Sequence, residues 1–288
     1  MKELLILSGK GGTGKTTITG AFAYLAKDKV LVDCDVDASD LHLILNTKIR
    51  KKSDFISGVK AKINQADCSG CNLCIDLCQF NGIIQKTDVL EVDEFSCEGC
   101  GVCAHFCPDE AIELLPNHCG FWYVSDTTCG PLVHAELMPG EENSGKLVSL
   151  VKNKARELAE KLEKKFLLID GPPGIGCPVI SSISGASLII MISEPTLSGL
   201  HDLRRVLELA RHFKVAHGVI INKWDLNAKM SDEIERFCSR EGITFLGKIP
   251  FDKTVVEALT NGKNIMEFKH CKASESIANI WLQVEKKL

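Results

Sequence analysis

Apolar residues in this chain gather in short unbroken runs separated by stretches of helical spacing. The runs over residues 4–7, 166–169 and 188–192 are too short for helices, which predicts strands buried in a sheet; strands are likewise expected over 30–33, ending in Asp33, and around 215–221. Val148, Val151, Ala155, Leu158 and Leu162 recur at three- and four-residue intervals, as do Leu200, Leu203, Leu207, Ala210 and Phe213; each series predicts an amphipathic helix. A helical pattern also runs through residue 26, a short strand is expected over 244–246, and helices over 255–260 and 274–286. Strand and helix in alternation predict an α/β fold, a mostly parallel, doubly wound sheet with helices on both faces. The alternation breaks after the second strand, where residues 55–63 lead out and 121–124 lead back. The domain is therefore expected to be discontinuous, 1–60 with 117–288, around an insert at 61–116.

The 288 residues carry 34 Lys and Arg against 38 Asp and Glu, a net charge of −4. That balance argues against a generally basic nucleic-acid surface, and no nucleic-acid partner is expected. The apolar run at 186–192, broken by Ser187, is far short of the roughly 20 residues needed to cross a bilayer. Ile277, Ile280, Trp281, Val284 and Leu288 form an apolar stripe that reads as core packing, so membrane binding is not expected. The opening residues read as a first strand and not as a signal peptide, which places the expected location in the cytoplasm.

Cysteine changes the picture. Eight of the 14 cysteines lie within the 40 residues from Cys68 to Cys107. Cys68, Cys71, Cys74 and Cys78 are spaced C-x2-C-x2-C-x3-C, and Cys97, Cys100, Cys103 and Cys107 repeat that spacing 29 residues later, with Pro108 following. Flanking positions repeat at the same offset: Ile63 with Val92, Gly70 with Gly99, Leu73 with Val102, Ile83 with Ile112. Zinc ribbons use two separated C-x2-C pairs and do not fit so dense a run. The run is that of bacterial two-cluster iron–sulfur proteins, in which the fourth cysteine ligates the other cluster. Cys68, Cys71, Cys74 and Cys107 are thus expected on one 4Fe–4S cluster, and Cys97, Cys100, Cys103 and Cys78 on a second. Residues 62–115 closely resemble such ferredoxins; Gln79 stands where the second half has Pro108.

A second motif follows the first strand. Gly9 to Thr16 matches G-x-x-x-x-G-K-[ST], a phosphate-binding loop set between a strand and a helix. Backbone N–H groups of Gly9, Lys10, Gly11, Gly12, Thr13 and Gly14 are expected to face phosphate oxygens at the positive end of the following helix. Lys15 would reach the β- and γ-phosphates, and the Thr16 hydroxyl would bind Mg²⁺, with Thr17 next to it. Downstream, Asp33, Asp35 and Asp37 close the second strand, Asp170-Gly171-Pro172-Pro173-Gly174 closes a later one, and Asn222-Lys223-Trp224-Asp225 closes a third. Taken alone, the N-K-x-D string suggests guanine.

The second lysine of the loop, Lys10, makes K-G-G-x-G-K-[ST] of residues 10–16, and this deviant loop resembles the MinD/ParA/Mrp family, which includes the nitrogenase iron protein. The resemblance implies a P-loop ATPase whose two subunits sandwich two nucleotides, Lys10 reaching the partner's phosphates. It implies that Asp35 orients the attacking water, that Asp170 holds the Mg²⁺ shell through water, and that Gly174 senses the γ-phosphate. It implies adenine at Asn222 and Asp225, with Pro250-Phe251-Asp252 closing the base pocket. Nearly the whole chain resembles a subfamily of such ATPases with an inserted ferredoxin domain; the segments 130–134 and 142–147 and Glu194-Pro195-Thr196 are typical of it.

The combination leads to the expectation of an ATP-hydrolysing iron–sulfur protein. Its cofactors are two 4Fe–4S clusters and Mg²⁺, and ATP is the substrate. It would work as a homodimer, or as a heterodimer with a paralogue, coupling a nucleotide-driven switch to electron transfer or metal-cofactor assembly on a further partner protein. One alternative is an iron–sulfur cluster carrier or scaffold, against which Cys238 and Cys271 stand isolated in the sequence. Another is a MinD- or ParA-like positioning ATPase. Cys177 with Cys119 or Cys129 is a candidate for an additional site, the simpler reading being three small buried residues. The eight histidines show no metal spacing.

Overall fold

The apolar run at the start of the chain becomes β1 (Lys2–Ser8), six of whose seven residues are buried. The computed structural model describes residues 1–87, 89–142, 144–268 and 271–288; Asn143, in the 142–147 segment noted above, lies outside them. After β1 come α1 (Lys15–Leu25), β2 (Lys29–Asp33) and β3 (Lys48–Ile63). The cysteine-rich part holds α2 (Leu73–Leu77), β4 (Ile83–Lys86), β5 (Val89–Val92) and α3 (Val102–His105). Then follow β6 (Ile112–Thr127), β7 (Gly130–Leu137), α4 (Ser144–Lys161), β8 (Phe166–Pro173), α5 (Cys177–Ile183) and β9 (Leu188–Ser193). The last elements are α6 (Leu197–His212), β10 (Ala216–Asn222), α7 (Ala228–Arg240), β11 (Thr244–Ile249), α8 (Lys253–Thr260) and α9 (Lys272–Glu285).

Two compact units divide the chain: residues 1–53, 122–136 and 144–288 form the first, and residues 54–121 and 137–143 the second. These limits fall inside β3, β6 and β7, whereas the shift in composition that suggests an insert at 61–116 follows the cysteines alone. In the first unit the strand order is β11-β10-β9-β1-β8-β2-β7, and residues 122–127 of β6 and 48–53 of β3 complete the edge. Every pairing from β11 to β7 is parallel.

Alternation across the strands explains the layering. Leu4, Ile6, Leu31, Leu168 and Ile190 pack in one core with Ile18 and Phe22 of α1 and Ile277, Ile280 and Trp281 of α9. The Phe22 and Trp281 rings lie 5.1 Å apart, so the apolar stripe of α9 is turned into this core. The intervening residues Leu5, Leu7, Val32, Ile169 and Met191 are equally buried, on the sheet face that α4, α5 and α6 cover. No helix among the described residues is long and apolar enough to cross a membrane.

The second unit is built differently. β4 and β5 form an antiparallel pair, Ile83 opposite Val92. Its core is a small cluster of Ala61, Ile63, Cys74, Ile83, Leu90 and Ile112, against which Cys68, Cys97, Cys103 and Cys107 pack.

Candidate functional site

Parallel strands place their carboxyl ends on one edge of the sheet, where ligands bind in open α/β folds. β1 delivers Ser8 to that edge, and the glycine-rich loop follows before α1 begins at Lys15. Gly14, the residue before α1, has φ +86°, and a Cβ there would collide with the side-chain amide of Asn222. Glycine is required on both counts. That amide donates to the Thr13 carbonyl at 2.7 Å and ties the end of β10 to the loop. Gly9 packs against Asp202 of α6, while Gly11 and Gly12 have nothing within reach of a Cβ. The Thr13 hydroxyl is buried without a hydrogen-bond partner among the described residues. An open loop of backbone amides beside an orphaned hydroxyl, at a helix N-terminus, fits a phosphate chain.

Lys15 and three carboxylates form the charged centre. Lys15 Nζ lies 2.9 Å from Asp170 Oδ1 and 3.7 Å from Asp35 Oδ2. Thr16 donates to Asp170 Oδ2 at 2.7 Å, and Thr19, one turn on, donates to Oδ1 at 2.9 Å. Asp33 sits opposite Asp170 in the β2–β8 pairing. It accepts from the backbone of Asp35 (3.0 Å) and Leu41 (3.1 Å) and from the Ser39 hydroxyl (2.9 Å), anchoring the segment that carries Asp35. Burial works against the charge of Lys15, yet Asp170, Asp33 and Asp35 outweigh it and hold its pKa above the ordinary value. Burial, with Asp170 adding to it, pushes Asp33 up to about 7 against the pull of Lys15. Burial likewise raises Asp35 to about 6, opposed by Lys15 and helped by Asp170, Asp37 and Asp40. This group of carboxylates and hydroxyls offers hard oxygen donors, and its excess negative charge fits Mg²⁺.

A cleft of about 690 Å³ adjoins this centre, lined by residues 11–17 of the loop, by Asp35 and by Pro172 and Pro173. Gly174, at φ +88°, donates its N–H to the Ser8 carbonyl at 3.0 Å. A smaller apolar cavity of about 190 Å³ lies beyond Gly12, Gly14 and Thr17, walled by Asn222, Ile249, Pro250, Phe251 and Ile277. Its size and greasy walls suit a planar base. Asp225 is not in its lining; its carboxylate accepts from the Phe251 N–H at 2.6 Å and holds the wall. Lys10 lies apart from Asp35 and Asp170. Its ammonium, 35% exposed against 6% for Lys15, pairs with Glu194 Oε2 at 3.4 Å and donates to the Ser198 hydroxyl at 3.3 Å.

The motifs missed several of these groups. Thr19 carries a signal in the sequence, four residues after Lys15 on the same helix face. Glu194 and Lys223 stand within strings already singled out, but nothing in the sequence marks their pairing, because a loop after β9 and a loop after β10 bring them to residues 10 and 12. His134 is buried between Tyr123 and His42 in a near-parallel stack of rings at 4.8 and 5.1 Å. Burial and His42 lower its pKa to about 4, so it is neutral at pH 7.

In the second unit all eight cysteines of the repeat are free thiols. Among the described residues no three His, Cys, Asp or Glu side chains converge closely enough to hold a metal ion as they stand. The halves of the repeat nevertheless cross. Ser69, next to Cys68, donates its backbone N–H at 3.0 Å and its hydroxyl to Asp109, two residues after Cys107. Gly82 donates its N–H to Cys78 Sγ at 3.2 Å, and a Cβ on Gly82 would lie 3.0 Å from the Cα of Cys97. Burial raises the Cys74 and Cys103 thiols. Soft thiol donors, one from each run in a short helix (Cys74 in α2, Cys103 in α3), with residues near the fourth cysteine of each run touching residues at the start of the other, are of the chemistry an iron–sulfur donor set uses. Of the cysteines outside the repeat, Cys119 is buried and donates to the Ser57 carbonyl at 3.1 Å, Cys129 is half-buried beside Thr128, and Cys177 is exposed at the start of α5.

Comparison with known proteins identifies the family. The family described as the CobQ/CobB/MinD/ParA nucleotide binding domain matches residues 4–265, and the chain belongs to it. An uncharacterized protein of Methanocaldococcus jannaschii, MJ0578, is 34% identical over 97% of this chain and 95% of its own length. A second protein of that organism, MJ0579, is 24% identical over 98% of this chain and all of its own. Among solved structures, the septum site-determining protein MinD of Pyrococcus horikoshii, complexed with Mg-ADP, has a similar fold. Its TM-score is 0.59 at 18% identity, over 99% of this chain and 96% of that one.

Proposed function

We propose that this member of the CobQ/CobB/MinD/ParA family is a Mg²⁺-dependent ATPase whose subunits pair on nucleotide. Its second unit holds two 4Fe–4S clusters that serve electron transfer to, or metal-cofactor assembly on, a partner protein. The observation that carries this reading is the crossing of the cysteine repeat, Ser69 on Asp109 and Gly82 between Cys78 and Cys97, in a chain that also has the Lys15–Asp170–Thr16 centre. The crossing supports one cluster on Cys68, Cys71, Cys74 and Cys107 and the other on Cys97, Cys100, Cys103 and Cys78.

In the ATPase unit, phosphates entering the cleft compete with Asp170 and Asp35 for Lys15, whose charge then offsets theirs. Thr16 and Asp170 would hold Mg²⁺. Asp35 orients the attacking water; at about 6 its carboxyl is ionised at neutral pH and accepts a hydrogen bond. Lys10 turns away from its own Lys15 centre, which supports its delivery to the phosphates of a partner subunit. Such a charge accelerates phosphoryl transfer by about 10³–10⁵-fold. Asn222 and the 250–252 segment receive the adenine. When bound, Mg²⁺ spreads the charge of the transferring phosphoryl group, and the clusters accept and release single electrons. The pair is a homodimer or a heterodimer with a paralogue; the two M. jannaschii relatives support the second arrangement.

Likeness to MinD in fold favours a second reading, a positioning ATPase. The stripe of α9 packs into the core and offers it no apolar face for a membrane. Anaerobic purification separates the readings. About eight irons per chain, with MgATP hydrolysis that falls in Lys15→Ala, are expected. Active protein without iron would leave the positioning reading, and iron without hydrolysis would remove the ATPase.

A further inference from the structure

Glu194 is the most heavily engaged group near the loop that the proposed reaction does not use. It follows β9, and its position is set by the backbone. Thr196 caps α6 by accepting from the Gly199 N–H at 2.9 Å, and Gly199 packs so closely on the Glu194 carbonyl that a Cβ there would collide with it. The side chain, 15% exposed, then draws two lysines onto one carboxylate. Oε1 takes Lys223 at 2.6 Å, and Lys223 also donates to the Gly12 carbonyl at 3.1 Å, so the carboxylate is tied to the phosphate loop. Oε2 takes Lys10 at the longer distance of 3.4 Å. Lys10 is the looser partner, helped among the described residues by Ser198 at 3.3 Å.

We infer that Glu194 is a positioning residue that holds Lys10 back on its own subunit, so that pairing of subunits on nucleotide must first break this ion pair. The inference rests on the proposed delivery of Lys10 across the dimer. Because Lys223 already neutralises part of the carboxylate, the hold on Lys10 is weak, and the charge of a bound triphosphate is enough to displace it. It still discourages pairing without nucleotide. A part-exposed pair of this kind changes an equilibrium by about two- to fivefold.

The test compares full-length, iron-loaded protein with Glu194→Gln, Lys10→Ala and the double variant, by sedimentation against MgATP concentration. Ser198→Ala, which keeps the carboxylate, is a second probe of the same hold. Glu194→Gln is expected to dimerise at about two- to fivefold lower MgATP, and Ser198→Ala to shift the same way by less. Lys10→Ala is expected to impair pairing, and the double variant to match it, since no lysine is left to release. If Lys10→Ala impairs pairing while Glu194→Gln and Ser198→Ala leave the midpoint unchanged or raise it, the hold is overturned and the delivery of Lys10 stands. If Lys10→Ala pairs as the parent does, the delivery of Lys10 falls and the hold falls with it.

Discussion

Asp170 and Asp33 sit side by side on neighbouring strands, two buried carboxylates sharing one lysine. This makes the site sensitive to pH. Asp33 is raised to about 7 and Asp35 to about 6, in both by burial first, whereas an unfolded Asp titrates near about 3.9. Between these values the native state binds more protons than the unfolded chain, so stability falls as pH rises from about 4 to about 7. Asp33→Asn removes the larger contribution. Urea midpoints measured at pH 5 and pH 7.5 are expected to differ less in Asp33→Asn than in the parent, and an unchanged difference would show that Asp33 is not the titrating group. The sequence already marks Lys15 and Thr16 through the phosphate-loop motif, and Asp35 and Asp170 through the family resemblance. It does not mark Asp33 as the anchor of residues 35–41, since that role depends on backbone N–H groups that turn back toward it.

Elements were legible where burial is one-sided or complete. β1, β2, β8, β9 and β10 appear as apolar runs, and α4 and α6 as stripes, each displaced by a few residues at its ends. β3 and β6 are sixteen residues each, longer than the 55–63 and 121–124 segments expected, because their outer halves, such as Lys48–Lys52, are charged and exposed. α7 escaped notice because it buries only Ser231, Ile234, Phe237 and Cys238. α4 holds a feature that periodicity cannot show. Lys152 lies on its buried face, 3.0 Å from Glu3 Oε2 of β1, and donates to the Ser182 and Ser184 carbonyls at 2.6 and 2.7 Å. Truncating it leaves Glu3 buried with Arg156 alone. Breaking a buried pair in this way costs about 3–5 kcal/mol. Because Arg156 still pairs with Glu3, Lys152→Ala should lower the stability of the first unit by up to that amount in urea unfolding, and Lys152→Met, which refills the volume, by less only if Glu3 is neutralised as well (Glu3→Gln).

The two units differ in what holds them together, and on the proposed reading this difference decides how the molecule would respond to loss of iron. The first has a sheet covered on both faces and a core running from α1 to α9. The second has, among the described residues, a core cluster of Ala61, Ile63, Cys74, Ile83, Leu90 and Ile112, with Cys68, Cys97, Cys103 and Cys107 packed against it. A unit this small rarely stabilises itself by apolar burial alone, and bound metal commonly supplies the missing free energy. The cysteine spacing is what raises the expectation of such a dependence, whereas the limits of the unit leave no mark in the sequence, because they fall inside the continuous strands β3, β6 and β7. On the proposed reading, anaerobic treatment of the iron-loaded protein with an iron chelator should melt the second unit selectively. Limited proteolysis is then expected to cut within residues 64–111 at a rate that rises with iron loss, while the fragments of the first unit persist and MgADP continues to raise their melting temperature by ligand binding. Protection of residues 64–111 that does not change with iron content would mean that the small apolar cluster suffices by itself, and the cysteines would then need another explanation than cluster ligation. Loss of both units together would mean instead that their stabilities are one cooperative quantity, and the division into two separately supported bodies would fail.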